Sequence, residues 1–142
     1  MVRPVFAVLL AAYAVLLTPP AALAHHSFAA EFDANKPVTL KGTITKVEWT
    51  NPHTWFYIDV EDSGKVVNWA VEGGAPNVLY REGWRPNSLK AGDKVTITGS
   101  RAKDGSNLAN ATLVQLPDGT CLFAGTSGPG GTATSNCTVG RR

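Results

Sequence analysis

The sequence predicts an all-β domain. Between residues 38 and 123, apolar residues alternate with polar ones in short runs, and turn-forming residues separate these runs. The runs follow the order of a long bent strand, a hairpin, one helical stretch, a single strand and a last hairpin. This order is typical of a small five- to six-stranded OB-like Greek-key barrel with one short helix between strands three and four. Because periodicity does not reveal strand order, an open sandwich or another small barrel also fits the pattern.

The first strand is predicted to be long and bent. Apolar residues or glycine occupy alternate positions across residues 38–44, and the apolar phase then shifts to Val47 and Trp49. A bulge near Thr45-Lys46 explains the shift, because one extra residue moves the following side chains to the other face of the sheet.

A hairpin and a short helix are predicted next. Residues 51–54 form a turn, and the alternating runs 55–60 and 67–71 flank a second turn at residues 61–64. Pro76 suits the first turn of a helix and Gly83 suits its end. The remaining predicted elements are a strand at 95–99, a loop at 103–107, a strand around 111–116 and a last strand at 121–123.

The first 24 residues are predicted to be a cleaved signal peptide. Arg3 supplies a positive charge, residues 5–17 are apolar, and Ala22-Leu23-Ala24 suits the cleavage enzyme. The apolar run is shorter than the roughly 18 to 20 residues that cross a bilayer, so no stable membrane anchor is expected after cleavage. The mature chain would comprise an N-terminal arm (25–37), the barrel (38–123) and a flexible Gly/Ser/Thr-rich tail (124–142).

Charge and cysteine content further limit the range of possible functions. Lys and Arg total 13 against 11 Asp and Glu, a net charge of +2, which gives no reason to expect a nucleic-acid partner. Cys121 and Cys137 would reach an oxidising compartment, where a pair of thiols predicts a disulfide. Ser27 has no base or acid partners in an evident pattern, so the sequence identifies no catalytic residues.

The placement of the histidines suggests a metal site. His25 and His26 would begin the mature chain, and His53 lies in the first barrel loop. The free α-amine and ring of His25 can chelate one ion, and His53 or His26 can add a nitrogen. Such a nitrogen set favours copper(II) as the cofactor over zinc. The carboxylates considered as an additional oxygen ligand are those of Glu31, Asp33 and Glu48. In the simpler interpretation, the terminus frays and His53 caps its turn.

A second candidate site is an aromatic face. Trp55 and Tyr57 alternate with the apolar positions of the second strand and therefore point to its other face. Together with Trp49 and Asn51 they are candidates to bind a periplasmic protein, a peptide, a glycan or another small ligand without a metal. Alternatively, Phe28 and Phe32 of the arm pack on this face and bury it.

Four motifs resemble those of a known family. They are His25-His26-Ser27-Phe28, Trp49-Thr50-Asn51-Pro52-His53, Asn68-Trp69-Ala70-Val71-Glu72-Gly73-Gly74 and Gly92-Asp93-Lys94-Val95. The chain resembles, over about residues 24–123, an uncharacterised family of small exported bacterial proteins described as a domain of unknown function. The resemblance implies a periplasmic or secreted bacterial protein and assigns no activity or site residues.

Overall fold

A computed structural model describes residues 28–125. The predicted signal peptide, His25, His26 and nearly all of the predicted tail lie outside these residues. The elements in chain order are α1 (Phe28–Glu31), β1 (Phe32–Glu48), β2 (Trp55–Asp62), β3 (Lys65–Glu72), α2 (Pro76–Arg81), β4 (Lys94–Ala102), β5 (Leu108–Gln115) and β6 (Cys121–Phe123).

The strands form a closed barrel of the OB type. They lie in the order β3-β2-β1-β4-β5-β6, and β3 also pairs with β5. This last pairing is parallel, whereas all the others are antiparallel, and it closes a ring of five strands. β6 extends the sheet at β5. The predicted all-β, OB-like class and the single helix between strands three and four are therefore confirmed.

β1 is bent where the sequence predicts a bulge, and it is longer than the sequence predicts. Its register with β2 shifts between Ile44 and Lys46, as the change of apolar phase indicates. The strand begins at Phe32, inside the predicted arm, where Phe32 pairs with Ala102 at the end of β4. Residues 33–37 show no apolar alternation, so the sequence pattern does not predict this extension. It is identified in the structure by the pairing of Phe32 and Pro37 with β4.

The core fills the barrel and is closed at one end by Trp84. The buried apolar side chains include Phe56 and Ile58 of β2 and Val71 of β3, in agreement with the predicted hairpin phase. The Trp84 ring stacks on Phe56 with centroids 5.3 Å apart. Its indole N–H donates to the Phe123 carbonyl at 2.8 Å, which attaches the segment after α2 to β6. Within residues 28–125, neither helix has the length and apolar character that a membrane span needs.

Candidate functional site

A histidine and a buried glutamate meet at one corner of the barrel. His53 lies in the loop between β1 and β2, directly after a cis Asn51-Pro52 bond. Its Nδ1 atom is 2.6 Å from Oε1 of Glu72, the last residue of β3, with side-chain exposures of 26% for His53 and 8% for Glu72. The imidazole is therefore accessible from one side while its carboxylate partner is almost fully enclosed.

Backbone hydrogen bonds hold the loop against the end of β3. The amide of Thr54 donates to the Gly74 carbonyl at 3.1 Å, and the amide of Gly73 donates to the Thr54 carbonyl at 2.7 Å. A Cβ at Gly73 would lie 2.8 Å from the Phe56 ring, so a side chain there would disturb the close approach. The position of His53 is consequently set by the barrel rather than by the loop alone.

The environment of Glu72 favours its neutral form. Burial and, to a lesser extent, the negative charge of Glu31 raise the pKa of Glu72 to about 7. A buried carboxylate loses hydration that the protein must replace, and a nearby like charge adds to that cost. A protonated His53 acts in the opposite direction at 2.6 Å, because a cation stabilises the carboxylate. The corner is thus suited to hold a proton or another positive charge near neutral pH.

The sheet register extends this corner across three strands. Glu72 pairs with Trp55 of β2 and with Asn110 of β5, so all three residues point to the side opposite the barrel core. Glu72 and Asn110 are nevertheless only 6% and 4% exposed. The tertiary structure therefore covers an outer face that strand alternation alone assigns to solvent.

The N-terminal segment lies beside the same corner. The amide of Lys103, in the β4–β5 loop, donates to the Glu31 carbonyl at 2.9 Å. Phe32 is 2% exposed, and its ring lies 5.7 Å from that of Phe28. Glu31, the last residue of α1, adds through its negative charge to the rise in the pKa of Glu72.

The predicted metal ligands are divided between described and undescribed residues. His53 is at the corner, whereas His25 and His26 lie outside residues 28–125. Within that range, no group of three or more His, Cys, Asp or Glu residues is arranged to hold a metal ion. Of the carboxylates considered as oxygen donors, Glu31 is close enough to influence Glu72, while Asp33 accepts a hydrogen bond from the Asn35 amide at 2.9 Å.

The aromatic candidates do not form one continuous surface. Trp49 is partly buried and packs against the core, and Asn51 is exposed in the loop. Trp55 and Tyr57 are half-buried on the outer face of β2. The Tyr57 hydroxyl donates to Glu48 at 3.0 Å. Trp55 and Tyr57 thus remain candidates for contact with a ligand, and Trp49 has a mainly structural environment.

Three residues of the corner were not identified from the sequence. The sequence pattern places Glu72 only in the family motif that ends at Gly73-Gly74 and Thr54 only at the end of the predicted turn, and nothing in it connects Asn110 with them. Thr54 is fully buried, and its hydroxyl has no hydrogen-bond partner within the described chain. The one available sequence signal was the position of Glu72 between a predicted strand and Gly73-Gly74, which does not indicate burial.

Only one cysteine of the predicted disulfide lies within the described residues. Cys121 is buried in β6 with 1% exposure. Cys137 lies outside residues 28–125, so the Cys121–Cys137 bond stays a prediction.

Fold and site together define a small OB-type β-barrel with a buried carboxylate–imidazole pair at one corner. The chain belongs to a family of unknown function, DUF6152, whose model matches residues 14–111. This match agrees with the family resemblance of the sequence motifs and includes His53, Glu72 and the N-terminal segment. No curated protein matches the sequence, and no solved structure does.

Proposed function

We propose that this protein is an exported, non-catalytic binding module that holds copper(II). The ligands are the α-amine and imidazole of His25, the imidazole of His53 and, as a further donor, His26. The observation that carries the proposal is the 2.6 Å contact between Nδ1 of His53 and buried Glu72. Histidines that ligate metals usually donate their other ring N–H to a carboxylate or carbonyl, which orients the ring.

The electrostatics of the corner support a cation. Glu72 is enclosed, and the charge of Glu31 disfavours its ionised form. A divalent ion at the rim would offset this repulsion, and a set of three or four nitrogens suits the tetragonal preference of copper(II). Because metal must displace the proton of an amine whose ordinary pKa is about 7.7 to 8.0, copper binding should weaken as the pH falls through about 6.

Export is a necessary part of the proposal. Cleavage after Ala24 creates the free amine of His25, and delivery to the bacterial periplasm or outside the cell follows from the same signal. That compartment also permits the proposed Cys121–Cys137 disulfide. Mass spectrometry of the mature protein tests this step, because a start at any residue other than His25 removes the amine–imidazole chelate.

Copper titration followed by electron paramagnetic resonance tests the metal site. Three proteins are compared: the chain starting at His25, the same chain with one extra N-terminal residue, and the His53→Ala variant. We expect nitrogen coordination in the first, and a changed spectrum with weaker binding in the other two. Equal spectra and equal affinities in all three would exclude the proposed ligand set.

The contribution of Glu72 is tested with a matched pair of variants. Glu72→Gln removes the carboxylate that orients His53 and should weaken copper binding about 10- to 100-fold. Glu61→Gln makes the same chemical change at an exposed position of β2 and should leave binding unchanged. If the two variants bind copper equally, Glu72 has no part in the site.

A metal-independent interaction module is the second candidate. Trp55 and Tyr57 support it, since both are half-buried on an outer strand face and keep part of their aromatic surface accessible. A Trp55→Ala/Tyr57→Ala double variant should then lose a protein, peptide or glycan ligand that a His25→Ala variant retains. The opposite pattern would favour the copper site.

A further inference from the structure

The start of β1 lies on the outer face of the barrel, on the same side of the sheet as Glu72. Glu72 pairs with Asn110 of β5, and Asn110 pairs with Ser100 of β4, so these three side chains point to one side of the sheet. Ala102 is two positions after Ser100 in β4 and therefore points to that side too. Phe32 pairs with Ala102, which places the Phe32 side chain on this outer face rather than in the core.

This outer face has a small apolar cluster of its own. Phe32 and Ala102 are each 2% exposed, yet neither belongs to the apolar cluster that fills the described barrel. The Phe28 ring lies 5.7 Å from the Phe32 ring, one helical turn away. Apolar clusters apart from the main core usually lie under a covering segment. α1 and Phe32 therefore act as a cover on a face that also contains the buried polar side chains of Glu72 and Asn110.

Lys103 holds this cover in place. Its amide donates to the Glu31 carbonyl at 2.9 Å, and its ammonium donates to the Ala29 carbonyl at 2.5 Å. A four-residue helix has too few internal hydrogen bonds to be stable alone, so its contacts with the barrel position it. Lys103 directly follows Ala102, the last residue of β4, so the polar and the apolar attachments of the cover are adjacent in the chain.

The chain after Phe32 separates the cover from the rest of β1. The pairing of β1 with β4 is irregular between Phe32 and Pro37 and regular from Pro37 onward. Residues 34–37 are exposed, and the Asn35 amide donates to Asp33 within the same segment. Few contacts with the barrel therefore oppose a bend at residues 33–36. A segment attached in this way opens at a lower free energy than the strands of the core.

We propose that α1 and Phe32 form a lid over the outer face of the corner, that residues 33–36 are its hinge and that Lys103 is its latch. The closed lid keeps Ala102, Asn110 and Glu72 from water, and the open lid exposes them. A molecule can then reach Glu72 from this face only after Lys103 has released α1. The inference goes beyond the proposed function and does not depend on copper, because every part of it concerns residues 28–125.

Thiol labelling of two buried alanine positions in the full mature chain tests the lid. Ala102 lies beneath the lid, whereas Ala109 is 1% exposed and belongs to the core. Ala102→Cys should react with N-ethylmaleimide through lid opening, and Ala109→Cys only through opening of the barrel. We expect Ala102→Cys to react at least about tenfold faster, after the reaction of the unsubstituted chain is subtracted. Equal rates for the two variants would overturn the lid.

Hydrogen exchange tests the latch without a new thiol. The amide of residue 103 reports directly on the lid, since it donates to the Glu31 carbonyl. The Ile44 amide, which donates to the Asp93 carbonyl at 2.8 Å, is the reference for the barrel. In the wild type we expect the amide of residue 103 to exchange faster than the reference, because the lid opens while the barrel stays folded.

Three lysine variants complete the test. Lys103→Met removes the ammonium and keeps the aliphatic stem, and exchange at position 103 should become about tenfold faster relative to the Ile44 amide. Lys103→Arg retains a cationic donor and should stay close to wild type. Lys94→Met changes an exposed lysine at the start of β4 and should have no effect on this amide. Exchange at position 103 that stays at the wild-type rate in Lys103→Met would overturn the latch.

Discussion

Two charged clusters lie on either side of Trp55. Their contact distances are similar, but their exposure to solvent differs. On one side, Lys46 Nζ is 2.5 Å from Glu48 Oε1, and on the other, His53 Nδ1 is 2.6 Å from Glu72 Oε1. Trp55 of β2 pairs with both glutamates, so the two carboxylates lie on the same face of the sheet with one strand between them. They provide a comparison of one side-chain type in two environments.

The pKa values of the two carboxyl groups shift in opposite directions. Hydrogen bonds from Lys46 and Tyr57 lower the pKa of Glu48, whereas burial raises the pKa of Glu72 to about 7. Glu48 remains 33% exposed and Lys46 61% exposed, so water still solvates the first pair. A short contact distance therefore does not by itself determine how much an ion pair affects stability. The degree to which the pair is enclosed from water decides it.

The largest effect should come from breaking the enclosed pair. Glu72→Ala leaves the His53 Nδ1 atom without its carboxylate and creates a cavity, which should lower the free energy of unfolding by about 2 to 4 kcal/mol. Glu48→Ala is the matched control and should cost far less. Urea denaturation with a chelator present measures both. Equal losses in the two variants would show that enclosure does not distinguish the clusters.

A smaller effect of opposite sign is expected beside His53. The buried Thr54 hydroxyl has no hydrogen-bond partner within the described chain, so Thr54→Val should raise the free energy of unfolding by about 1 kcal/mol. Thr98→Val is the control, because the Thr98 hydroxyl donates to the Leu113 carbonyl at 3.4 Å and has a bond to lose. A loss of stability in Thr54→Val would indicate that the hydroxyl binds an ordered water.

The smallest effect concerns the exposed cluster and its pH dependence. Because the folded state lowers the pKa of Glu48 below its usual value of 4.5, the carboxylate stabilises the fold above that pH. This stabilisation disappears as the pH falls through the lower, folded-state pKa. The urea midpoint of Glu48→Gln should therefore lie slightly below wild type at neutral pH, and the difference should shrink as the pH falls below 4.5. A difference that persists in acid would contradict this assignment.

Local pattern was sufficient for most of the barrel. The alternation in β2 and β3, the phase shift at the bulge of β1 and the proline and glycine around α2 all follow from interactions between near neighbours in the chain. The extension of β1 back to Phe32 does not, because residues 33–37 lack an alternating apolar pattern and the pairing with β4 is irregular between Phe32 and Pro37. The same limitation applies to the β4–β5 segment, where the Arg101 guanidinium lies 5.1 Å from the Trp69 ring of β3.

The candidate site was only partly accessible from sequence. The histidines are identified by residue type, and the combination of the four motifs indicates the family. Glu72 was missed because a charged residue in the outward phase of a strand is expected in water. Asn110 is remote in the chain, and the parallel pairing of β3 with β5 brings it to the corner.

Alternation and turn chemistry act over a few residues, so the all-β class, the order of elements and a histidine in the first loop could all be predicted from local pattern. The enclosure of Glu72 beside His53 and the contact of Lys103 with α1 became evident only in the folded barrel. Both depend on closing the barrel, which brings residues from distant strands together and removes water from an outer face that local pattern leaves exposed.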